Sequence, residues 1–146
     1  GVCKELESKG ITPFANAYKE WWVQKHIFQH FIAGASSDSA KLVNDFIAGN
    51  TKFEDHPILL NYFDFIDLTV KYGDPKPLEC DFNAQVGTFA NSKAAIITGQ
   101  GQWIESAVTK IDPDFDFGAT GLNIGTPNDL SDAWYAPKAK MDKDIP

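Results

Sequence analysis

The chain has 146 residues, 43% of them hydrophobic and 13% aromatic, enough for one folded domain with its own core. Its net charge of −7 sets 20 acidic residues against 13 basic ones, every one of them lysine. The acidic balance and the missing guanidinium fork argue against nucleic acid and anionic membrane surfaces, and for a neutral or weakly charged partner. No apolar run approaches the ~18 residues a membrane span requires.

Taken in order, Val2 to Lys9 reads as a helix with Val2, Leu6 and Cys3 inward, closed by Gly10 as the residue past its end. The N-terminus has no apolar signal-peptide core, and a chain that opens within a helix reads as part of a longer one. Pro13 forces Thr12 toward extended backbone, so 11–15 reads as a brief strand or link. Asn16 is the expected N-cap of a helix from about Ala17 to Ala33. Trp21, Phe28 and Ile32 form its apolar stripe, with Ile27 and Phe31 as shoulders. Trp22 lies about 100° round from Trp21 and shares its face with His26, Gln29 and His30, on the wet side.

After a loop at 34–38, Ser36 or Ser37 is expected to cap a helix carrying Ala40, Val43, Phe46 and Ile47, ended by Gly49 and Asn50. The strongest helical pattern runs from Asp55 to Tyr72, with Ile58, Leu59, Tyr62, Phe63, Ile66 and Val70 inward and Gly73 as its stop. A rigid turn, 74–77, precedes a helix over 81–91 in which Phe82, Val86, Phe89 and Ala90 share a face. The apolar run 94–98 suits a buried strand, and Gly99 and Gly101 permit a tight turn after it. Trp103 then opens a helix striped by Ile104, Ala107, Val108 and Ile111 and ended by Pro113. Residues 116–122 form a further candidate strand, and 126–146 reads as irregular. The expected class is α+β, dominated by helices, with two or three short strands.

Few of the titratable residues suggest chemistry. Cys3 and Cys80 fit no metal or redox spacing and read equally as one disulfide or two free thiols. His26 and His30 share a helical face but lack a third ligand, since His56 heads another helix, so a structural or solvent-facing role is expected. Residues 112–118 put acids at positions 1, 3 and 5 of a calcium loop, yet Phe117 stands where glycine is required and Asn123 where the last acid belongs. Gly99-x-Gly101 has no third glycine and no phosphate-binding lysine. No serine has a nucleophile-elbow context, and no carboxylate pair stands out. The expectation is therefore a protein that is not an enzyme and that carries no metal or cofactor. What remains is a pair of tryptophans, Trp22 and Trp103, each near the start of its helix and off its apolar stripe. An exposed indole calls for a cover, either another segment of the chain or a ligand such as a sugar that stacks its C–H face on the ring.

Three segments, in order, carry a family resemblance: Val2–Phe14 followed by Trp22, Phe89–Trp103, and Asp112–Gly118. Together they resemble the "helix, Gly, Ile/Tyr-Thr-Pro, then Trp", "F-x-x-G-K-A-A-M-x-x-x-G-S-W" and "P-x-x-x-x-G" passages of the extracellular solute-binding proteins of ABC sugar importers, the family that includes maltodextrin-binding protein. Ser92 stands where the family has glycine, Ile97 about where methionine is common, and Gln102 where serine precedes the tryptophan. The resemblance implies a periplasmic-binding-protein-like, two-lobed fold. Residues 1–125 would be the second lobe, and 126–146 an irregular tail leading back toward the first. It also implies a signal sequence, often of lipoprotein type, elsewhere in the full protein and a location at the extracellular face of the cell membrane or in the periplasm. The implied partners are a sugar or oligosaccharide in an inter-lobe cleft and the permease subunits of the importer. Carried over by position, the ligand-binding residues would be Trp103, Trp22, Gln102, Glu20 and Lys19, with Trp103 as stacking platform. Two rivals make different demands. A carbohydrate-active enzyme fragment needs two carboxylates about 5–10 Å apart beside Trp103. A helical protein-interaction domain would set the two tryptophans in a flat patch.

Overall fold

A computed structural model describes residues 1–101, 103–119, 121–122 and 124. Its elements are α1 (Val2–Ser8), β1 (Thr12–Ala15), α2 (Trp21–Ala35), α3 (Ser39–Ala48), α4 (Pro57–Lys71), α5 (Phe82–Ala90), β2 (Ala94–Ile97) and α6 (Ile104–Thr109). Short 3-10 turns at Phe53–Asp55 and Pro77–Glu79 precede α4 and α5. The class is α+β, dominated by helices, with one two-stranded sheet among the described residues.

The two strands pair in parallel, with Thr12 opposite Ala94, Phe14 opposite Ile96 and Ala15 opposite Ile97. The Phe14 N–H donates to the Tyr72 carbonyl at 3.2 Å, so the end of α4 also holds β1. α5 and α6 cover this pair. Ala15, Val86, Phe89, Ala90, Ala94, Ile104 and Val108 form the buried cluster, with Phe115 and Phe117 packed against it. Each large apolar side chain buried there contributes roughly 1.5–3 kcal/mol of transfer free energy.

The described residues divide into two compact units, 1–30 with 62–117 and 31–61 with those from 118 on, the boundaries falling within α2, within α4 and after Phe117. The parallel pair and its core belong to the first. In the second, Leu42 of α3 and Leu59 of α4 are buried, and Phe46 stacks on Phe53 with centroids 4.8 Å apart. Asn61 there donates its amide to the Ile124 carbonyl at 2.9 Å.

Three helices end alike. Past α1, Gly10 takes φ 74°, its N–H bonded to Glu7 O at 2.9 Å and that of Ile11 to Leu6 O at 3.0 Å. Gly49 closes α3 at φ 73° with the same pair of bonds from itself and Asn50. α5 repeats the pattern with a serine. Ser92 takes φ 58°, its N–H bonded to Phe89 O at 2.9 Å and that of Lys93 to Thr88 O at 3.0 Å. These paired bonds satisfy carbonyls that the last turn would otherwise leave without partners.

Several expectations are corrected. Asn16 does not cap α2. It is 1% exposed, with its amide N–H on Thr69 O at 2.9 Å and its backbone N–H on the Asp74 carboxylate at 3.2 Å. Gly73 makes room for it, since a Cβ there would lie 2.1 Å from the Asn16 amide nitrogen. With Asn16 committed to these tertiary bonds, α2 begins at Trp21. Its buried face is Val23, Ile27, Phe31 and Ile32, and Trp21 is 72% exposed with the Lys25 ammonium 5.3 Å above its ring. α3 is capped by Asp38, whose carboxylate accepts the Lys41 N–H at 2.9 Å, not by Ser36 or Ser37. Val2, Phe63, Val70 and Ile111 are exposed, not inward, and Val43 and Ile47 of α3 are exposed as well. The described part of 116–122 forms no strand; Phe117 instead packs on Phe89. Cys3 and Cys80 are free thiols. Residues 126–146 and Gln102 lie outside the described residues.

Candidate functional site

Because β1 and β2 run parallel, the segments that follow them emerge at the same end. Asn16–Glu20 and α2 follow β1; Thr98–Gly101, Trp103 and α6 follow β2. The carboxyl end of parallel strands is where ligands commonly sit in open sheets, because the departing loops leave a crevice there.

The two glycines of the second loop have separate steric jobs. Gly99 has φ 73°, and a Cβ on it would come within 2.6 Å of Val23 Cγ1 and 3.1 Å of Ile27 Cδ1. Its bareness lets the loop lie against α2. At Gly101 a Cβ would fall 2.1 Å from Cζ3 and 2.6 Å from Cε3 of Trp103. The indole therefore rests against the Gly101 backbone, and Trp103 remains 49% exposed.

From Trp103 a row of rings leads inward. Its centroid is 5.7 Å from that of His26, at 67° between planes. His26 is 5.6 Å from Trp22 at 60°, and Trp22 is 5.5 Å from Phe82 at 54°. These are edge-to-face and tilted spacings, which suit the aromatic quadrupole. The row joins α2, α5 and the loop before α6.

The indole N–H of Trp103 donates to Gln100 Oε1 at 3.1 Å. Gln100 Nε2 donates to Gln85 Oε1 at 2.6 Å, and Gln85 Nε2 donates to the carbonyls of Ala15 at 2.9 Å and Thr98 at 3.1 Å. The loop side chain that bonds the Trp103 indole is thus tied back through Gln85 to the ends of both strands.

Of the five expected ligand residues Gln102 lies outside the described residues, and the other four fall into three groups. Trp22 and Trp103 converge on one aromatic row through His26, Trp103 as its half-exposed outer member and Trp22 partly covered by Phe82. Glu20 lies near by, but one carboxylate oxygen accepts the Phe82 N–H at 3.2 Å and so serves the first turn of α5, beside the Asp81 cap. Lys19 is exposed, its backbone N–H held by the Cys80 carbonyl at 3.1 Å. Burial first, and then Asp74, push the Cys80 thiol up, which disfavours the thiolate that nucleophilic or metal chemistry would require. Among the described residues no three His, Cys, Asp or Glu side chains gather as a metal site, and no helix is long and apolar enough to cross a membrane.

Sequence reasoning missed His26, Gln85 and Gln100 as members of this site. His26 could have been found, since it stands four residues from Trp22 on one helical face. Gln85 left no such signal, because it sits beside the apolar face of α5 and looks like a solvated neighbour of it.

Comparisons with family models, with curated proteins and with solved structures find no match to this chain.

Proposed function

We propose that this chain is the sugar-binding part of an ABC importer, a second-lobe surface that receives a sugar or oligosaccharide by stacking on Trp103 with polar contacts around it. The observation that carries the reading is the aromatic row. Two tryptophans from distant segments meet through one histidine at the carboxyl end of the strand pair, and the outermost ring stays half exposed. A hydrocarbon core residue would be covered. A stacking platform must be rigid on one face and free on the other, and Trp103 rests on Gly101 with its N–H already bonded.

Ser92 adds support from another direction. The resemblance has glycine at that position, and the backbone there is left-handed, the conformation for which glycine is the ordinary residue. In this reading a first lobe closes over the platform, the permease subunits of the importer receive the loaded protein, and the site works outside the cytoplasmic membrane. It implies no cofactor and no covalent step.

Titration of mono- and oligosaccharides onto the protein, followed by tryptophan fluorescence, tests the proposal. A responding saccharide is expected to bind about tenfold or more weakly to Trp103→Ala, the loss of one stacked ring and its contact area. Equal affinity in wild type and Trp103→Ala would remove the stacking role, and silence toward every saccharide would remove the sugar.

A further inference from the structure

We infer that Gln85 and Gln100 are positioning residues that set the tilt of the Trp103 ring, and thereby which face a ligand can use. The carbonyls of Ala15 and Thr98 can only accept, and the indole N–H of Trp103 can only donate. Two glutamines bridge these fixed ends. Gln85 must turn its NH2 to the two carbonyls, which leaves its oxygen facing Gln100; Gln100 must then offer its NH2 to Gln85 and its oxygen to the indole. Flipping either amide would set oxygen against oxygen or N–H against N–H. The chain of bonds therefore has one permitted direction, and each link fixes the next.

Burial gives the relay its leverage. Gln85 is 1% exposed, on the turn of α5 that also buries Val86 and lies against the strand ends. Packing alone would be served by an apolar residue of similar length, since a buried amide must find partners for every polar atom it brings. Here the partners lead from the last residue of β1 and the first after β2 to the exposed platform. The rigid part of the fold thus sets the orientation of a side chain on a loop. The functional meaning of the relay rests on the saccharide reading above, but its physical operation does not.

The test uses the ¹⁵N-labelled chain and the indole N–H resonance of Trp103, assigned by its loss in Trp103→Phe. Gln85→Met keeps length and removes both polar groups. It is expected to shift that resonance and to speed its solvent exchange about fivefold, the factor one net hydrogen bond supplies. Gln100→Met is expected to do the same, and the double variant to match Gln100→Met alone, because Gln85 acts through Gln100. A folded Gln85→Met with an unmoved Trp103 resonance overturns the inference, as does additivity of the two variants. Should Gln85→Met fail to fold, Gln100→Met decides, an unmoved resonance again overturning it. A chain whose indole responds as expected but which no saccharide touches keeps the relay and loses the binding reading.

Discussion

At the scale of single residues, buried polar groups decide more here than apolar ones. Asn16 and Gln85 each lie inside the fold and each tie backbone carbonyls of distant segments, Asn16 reaching Thr69 and Gln85 reaching Ala15 and Thr98. Thr69 meets a second partner, since its hydroxyl also bonds the Tyr18 phenol. Burial pushes the Tyr18 phenol above its ordinary value, with the Thr69 bond opposing in part. Below the ordinary value both folded and unfolded chains carry the neutral phenol, and its contribution to stability is intact. As pH rises past about 10 the unfolded chain ionises first, so stability falls as pH climbs toward and through the raised folded value. Urea unfolding from pH 8 upward should show wild type losing stability more steeply than Tyr18→Phe in the alkaline limb. Parallel curves would place the ionisation elsewhere.

At the scale of elements, the helix ends show how one local geometry is met by different residues. Gly10 and Gly49 take the left-handed position without cost, while Ser92 does so with a Cβ. Ser92→Gly should therefore raise stability by about 0.5–1 kcal/mol, the Cβ relief being partly offset by the freer unfolded chain. Denaturant midpoints with unchanged slope would measure it, and a lower midpoint would mean the serine side chain makes a compensating bond. The stop at Gly10 and the strands at 12–15 and 94–97 were legible because they rest on rules that act within a few residues, whereas the strand expected at 116–122 does not form in its described part. The start of α2 was not. Asn16 has the residue type of a cap, but a hydrogen bond to Thr69, 53 residues away, took its side chain instead. The face of α2 is read correctly at Ile27, Phe31 and Ile32, which are buried, but not at Trp21, which is exposed while Val23 is buried instead; the period alone does not choose between those two edges of the stripe.

At the scale of the whole molecule, composition bears on the partner. A chain with 20 acids, 13 lysines and no arginine offers no bidentate grip for a phosphate or carboxylate. A neutral saccharide at Trp103 should bind with an affinity that changes less than about twofold between roughly 0.05 and 0.5 M salt, because screening has no ion pair to weaken. Isothermal titration at the two salt concentrations measures this, and a strong salt dependence would mean that Lys19 or another exposed lysine holds an anionic group.

By itself the sequence determined the helix-dominated α+β class, the succession of helices with the strands at 12–15 and 94–97, and the left-handed turn at Gly10. These follow from local sterics and from hydrophobic period, which act over one or two turns of chain. Only the tertiary structure decided that Trp22 and Trp103 meet through His26, that Trp21 faces outward, and that Glu20 serves α5. The parallel pairing of β1 with β2 brings together residues some 80 positions apart in the chain. No local pattern encodes that distance. The amides that orient Trp103 became readable only once two strand ends and a buried helix face were placed around them.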